Sequence, residues 1–271
     1  MTVSTPPESD FFLPFEQAIA DYAIPDNFTY PFHYEPHPLS LLAVQQLQHR
    51  LISQEWHHNF GLVPGMTGAI IGKMFGVLVV RTKHDQIGFL AAFSGKLAGG
   101  FHHDGFVPPV FDSLTEGSFL NRGMTELTRI NQQIKLLENT DADGNAAKIA
   151  MLQQLRKTNS AALQSKLYDQ YHFLNQAGET KGLREIFTSH NNSNPPAGAG
   201  ECAAPKLLQH AFQHNMQPLA LAEFWWGLSP KSNYWKHGHF YPVCREKCEP
   251  ILAHMLQGIA LDAKAAETVG W

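Results

Sequence analysis

Two apolar runs, MFGVLVVRT and QIGFLAAFSG, flank the polar tripeptide Lys83-His84-Asp85 and predict a β-hairpin across 74–96. Upstream, in LSLLAVQQLQHRLISQE (39–55), Leu42, Val44, Leu47, Leu51 and Ile52 fall on roughly one helical face, which predicts an amphipathic helix. Between Gly117 and Gly178 the rhythm changes. Proline disappears, and Leu127, Ile130, Ile134 and Leu137 recur at helical spacing. The pattern breaks at DADGN (141–145) and resumes at Leu152, Leu155, Leu163, Leu167, Tyr171 and Leu174. This predicts an antiparallel, coiled-coil-like helical hairpin. DADGN reads as a polar turn, because Leu152 stands where a calcium loop needs its bidentate Glu.

Further along, HNNSNPPAGAG (190–200) has loop composition. A helix over about 203–214, a strand PLALAEFWW (218–226), an extended HFYP and a helix from near Cys244 follow. Residues 1–40, rich in proline and aromatics, read as an extended arm, and 261–271 as a frayed tail.

Composition narrows the setting. The formal charge is −4, so the broad basic footprint of an avid nonspecific binder of DNA or other nucleic acid is missing, which leaves room for a local basic patch or docking against a partner domain. Charged residues are 16% of the chain, a low share that points to a surface covered by a partner. No apolar run reaches membrane-spanning length, and MTVSTPPESDFF lacks a secretory signal pattern. The expectation is a cytoplasmic protein without membrane contact, whose three cysteines are reduced or metal-bound.

Those cysteines carry the sharpest chemistry. Cys202 precedes a helix, and Cys244 and Cys248 are four apart at the start of the next, so the latter two share a face. Unpaired N–H groups at helix mouths favour thiolates. Three thiolates there would cup Zn²⁺, with His239, His237 or Glu201 as a possible fourth ligand. Three unconnected buried thiols are the plain alternative.

The order hairpin, Cys202, helix, strand, Pro242-Val-Cys244-x3-Cys248, helix resembles the layout of zinc nucleobase deaminases. The fold expected is therefore α/β, a deaminase-like mixed sheet flanked by helices. Residues 41–116 and 179–260 would form one domain with the helical hairpin, 117–178, inserted. The deaminase proton shuttle is missing: two residues after the first ligand stands Ala204. Glu201, one residue before that ligand, is the only displaced candidate for a catalytic role.

Longer strings carry a second resemblance. FTYPFHYEPHPL, IGKMFGVLVV, GFLAAFSGKLAGG, FVPPVFD, PPAGAGECAAPKLLQHA, LALAEFWWG and HGHFYPVCREKCEPILAHMLQG resemble the long N-terminal region of certain bacterial RluA-type pseudouridine synthases. The similarity runs over about 28–260. It implies a setting in RNA modification, with structured RNA or a synthase catalytic domain as partner. The Arg-Leu-Asp cluster that carries the synthase reaction is absent, so the isomerisation itself is not expected of these residues. The expected function is that of a non-catalytic zinc-binding accessory region. A zinc deaminase using Glu201 is one alternative, and an interaction scaffold that dimerises through its helical hairpin is another. For RNA, Trp226, Lys231, Trp235 and Lys236 form an aromatic and basic cluster suited to stacking bases and holding phosphates. Phosphate-loop, dinucleotide-binding and G-x-S-x-G motifs are missing.

Overall fold

The computed structural model describes residues 11–32, 35–191 and 193–263. The ends of the expected arm and tail, 1–10 and 264–271, lie outside the described residues. The chain first contributes β1 (Leu13–Pro14) and α1 (Pro38–Ser53), then the long strands β2 (Lys73–Arg81) and β3 (Ile87–Phe93). Next come α2 (Phe119–Asp141), α3 (Ala146–Tyr168), the short strands β4 (His172–Leu174) and β5 (Thr180–Gly182), and α4 (Leu183–Asn191). Last are α5 (Ala203–Gln213), β6 (Gln217–Trp226), β7 (Phe240–Tyr241) and α6 (Arg245–Met255).

A five-stranded sheet in the order β1-β3-β2-β6-β7 forms the centre. Its strand pairings are all antiparallel among the described residues, so the expected mixed sheet is corrected to an antiparallel one. The β2–β3 hairpin forms as the apolar runs predict, with Asp85 taking φ 59° in the turn. Because strand side chains alternate, the same strands bury two faces. Phe75, Val77, Val79, Phe89, Ala91, Phe93, Ala222 and Phe224 pack with Leu39, Ala43, Val44, Leu47 and Leu51 of α1. Leu78, Val80, Leu90, Ala92 and Leu221 pack instead with Leu207, Leu208 and Ala211 of α5 and Ile251, Leu252 and Met255 of α6. On α1, Ile52 departs from the expected face and is 71% exposed.

Helices α2 and α3 fold back on one another through Ile130, Ile134, Ile149 and Leu152, with Leu137 beside them. Gly123 lies against Leu163, which joins the start of α2 to the end of α3 and fixes an antiparallel hairpin. The turn is held by Asp141, whose side chain accepts from the Gly144 N–H at 3.0 Å. Helical structure ends at Tyr168 rather than running on to Leu174, because Tyr171 and Phe173 are drawn into the α5–α6 core.

Candidate metal centre and its cavity

The bend before α5 is built for close approach. Gly198 and Gly200 take φ 76° and 89°, and a Cβ on Gly200 would stand 2.8 Å from the Tyr171 ring. The chain then enters α5 with Cys202 as its N-cap, φ −71° and ψ 161°, whose side chain makes no capping bond. Cys244 likewise caps α6 without a side-chain capping bond. Two helix mouths each present a sulfur instead of the usual hydroxyl or carboxamide. Gly76 on β2 lets α5 come this near: a Cβ there would lie 3.0 Å from the Ala203 methyl and 3.2 Å from Leu207.

The three sulfurs meet through Cys248. It is fully buried, and its thiol interacts with the side chains of both Cys202 and Cys244. Those contacts and burial hold its thiol well above the ordinary range. Cys244 is exposed and moves the other way, down to about 6. The Cys248 side chain is the main cause, joined by the backbone N–H groups of Lys247 and Cys248 and the Lys247 charge. The two thiols are thus pushed in opposite directions, Cys244 toward the thiolate at the mouth of α6 and Cys248 toward the protonated thiol. Among the described residues, no three His, Cys, Asp or Glu side chains stand in ready-made coordination geometry.

Glu223 is the unexpected member. It comes from β6, is 4% exposed, and accepts a hydrogen bond from the Ala204 N–H at 3.0 Å. The carboxyl thus supplies the α5 mouth with the acceptor that Cys202 does not. Burial raises its pKa to about 8, against the pull of that N–H, and the Cys244 charge adds to the rise. Its sequence signal is one acidic residue inside the apolar run PLALAEFWW. Lys206, one turn into α5, is the matching buried cation: its ammonium donates to the carbonyls of Phe93 at 2.8 Å and Gly95 at 3.1 Å. Burial lowers it to about 8, with the charges of Glu201 and Cys202 opposing.

Cys202, Glu223 and Cys244 line a cavity of about 480 Å³. Trp225, Tyr234, Trp235, Tyr241 and Phe32 supply its aromatic walls, and Arg245 and Lys247 its cations.

The other expected residues scatter. Glu201 is outside the cavity lining, its carboxylate bonded to the Tyr171 hydroxyl at 3.3 Å. His237 accepts from the Gly227 N–H at 3.0 Å and packs on Trp226, and His239 is exposed; neither lines the cavity with the thiols. Of the RNA-contact candidates, Trp235 lines the cavity. Trp226 does not: it is 5% exposed on the α1 face, and its neighbour Trp225 takes the cavity position. Lys231 and Lys236 are exposed on the 227–239 loop, away from the cavity lining. The cations that line the cavity are Arg245 and Lys247, which the aromatic and basic cluster did not reveal. Among the described residues, no helix is long and apolar enough to cross a membrane. No family model, curated protein or solved structure matches the chain, so the chemistry of this site carries the functional reading.

Proposed function

We propose that the chain is a non-catalytic, zinc-binding accessory module in RNA modification, presenting RNA to a pseudouridine synthase domain or docking against one. One observation carries the metal reading: Cys248 lies against both Cys202 and Cys244 at the mouths of α5 and α6. Zinc would be held by these three sulfurs, the metal displacing the proton that its thiol neighbours and burial keep on Cys248, and Glu223 is the nearby carboxyl that could complete the set. The element order supports a deaminase-like layout for 41–116 and 179–260, with α2 and α3 as a coiled-coil-like insertion. The RNA setting rests on the resemblance to RluA-type synthases.

Elemental analysis of protein prepared without chelators tests the metal. About one zinc per chain is expected, lost in Cys248→Ala and Cys244→Ser. Metal-free protein with three freely titratable thiols and unchanged stability would overturn it.

Glu223 also favours a second reading, a zinc deaminase. A carboxyl beside metal-bound water is what hydrolytic deamination needs, and Glu223 stands in the cavity where Glu201 does not. Ammonia release from cytidine or adenosine in RNA, abolished by Glu223→Gln, would establish this reading over the accessory one.

A further inference from the structure

We propose that the cavity above the thiols receives one unstacked base of single-stranded RNA, with the adjoining phosphate held by Arg245 and Lys247. The proposal rests on the RNA setting above and names the occupant of that site.

The walls are flat and preformed. Trp235 stacks on Trp225 with ring centroids 5.0 Å apart and planes 19° from parallel. Tyr234 and Tyr241 meet the Trp235 ring edge-on at 4.7 and 4.8 Å. The loop that carries Trp235 is tied at several points. The Tyr241 hydroxyl accepts from the Lys236 N–H and donates to the Tyr234 carbonyl, and the Gly238 N–H donates to the Trp225 carbonyl. An aromatic platform fixed before binding costs little ordering entropy when a base stacks on it.

The floor is polar where the walls are not. Glu223, Ser94 and the sulfur of Cys202 bring polar groups into the lining, of the kind a base edge pairs with. A volume of about 480 Å³ falls in the range of small-molecule sites and leaves room for a base with its sugar. Arg245, which also pairs with Glu249 at 3.3 Å, and Lys247 begin α6 and place two cations at the rim of the cavity. Bases in a duplex are stacked and paired, so the concave site selects unpaired RNA.

The experiment uses the full chain, zinc-loaded, and a short single-stranded RNA containing one 2-aminopurine. Stacking on the tryptophan platform is expected to quench the probe. Trp235→Ala should weaken binding about tenfold while leaving zinc content unchanged. Tyr234→Ala, at a side chain 63% exposed, should weaken it without risk to folding. Lys247→Ala should flatten the salt dependence of binding. Equal affinity for the same sequence as a duplex, or wild-type affinity in both aromatic variants, would overturn the pocket. Free nucleoside monophosphates binding as tightly as the oligomer would overturn RNA as the source of the base. Zinc without quenching sinks this inference alone, whereas quenching that depends on Trp235 in zinc-free protein sinks the metal reading and keeps the pocket.

Discussion

Adjacent residues on β2 show how differently the two faces of the sheet are built. Phe75 points toward α1, into a cluster where its ring neighbours Phe60, Phe93, Phe106 and Phe224 at centroid distances of 6.2, 6.3, 5.8 and 5.9 Å. Gly76 points the other way, where the absence of a side chain admits the mouth of α5 beside Glu223. The α1 face is a filled apolar interior. The α5–α6 face holds the buried Glu223, Lys206 and Cys248 and opens into the cavity. Both sides of the sheet bury an apolar core, but the ionisable and nucleophilic groups gather on the α5–α6 side, and β6 serves both by alternation.

Mutating the two neighbours separates these roles. Phe75→Ala should cost the most, about 3–5 kcal/mol, because a large ring leaves a cavity among rigid neighbours. Denaturant unfolding would show the loss, and, on the proposed zinc reading, the folded fraction should still bind the metal with wild-type stoichiometry. Gly76→Val should cost less, about 1–3 kcal/mol, since the added methyls push against Ala203 and Leu207. Its distinguishing effect is on the site: moving the α5 mouth displaces Cys202, so zinc affinity should fall with the stability. If Phe75→Ala lost metal while Gly76→Val kept it, the division between faces would be wrong.

How far this division was legible in the sequence depends on the length of the signal. The β2–β3 hairpin, α1, the α2–α3 pair, α5 and β6 each have enough periodic positions to declare themselves. Helix α4 and the β4–β5 pair are short and carry few apolar repeats, and they form because Ile186, Phe187 and Phe173 find places in the α5–α6 core. The cysteine convergence was readable because two thiols shared a helix face and the third opened a helix. Glu223 was not, since Glu201, His237 and His239 are the acid and imidazoles close to the cysteines in sequence, while strand pairing delivers Glu223 from β6. Trp225 and Trp226 were exchanged for a related reason. Their parity is fixed by which face meets α1, and both faces of this sheet are covered, so an apolar run alone does not assign it.

At neutral pH the smallest expected effect is that of His210 on the α5–α6 face, which emerges only as the pH falls. His210, on α5, is 4% exposed, stacked on His214 at 4.0 Å and met edge-on by Phe11 at 5.3 Å. Burial, with the adjacent His214 opposing a further positive charge, lowers its pKa from 6.5 to about 4. In the unfolded chain the ring takes its proton near pH 6.5, so between 6.5 and about 4 the unfolded state binds more protons than the folded one. Stability is then full above pH 6.5 and falls as the pH drops toward 4. The shift corresponds to about 3 kcal/mol, which water near the ring reduces to about 2 kcal/mol. His210→Gln should flatten this limb, read as a smaller change in denaturation midpoint between pH 7 and pH 4.5. Phe75→Ala should leave its slope intact while lowering the whole curve, because the rings that pack on Phe75 are phenylalanines, which do not titrate. A limb unchanged in His210→Gln would place the acid sensitivity elsewhere and remove His210 from the account of how the two faces differ.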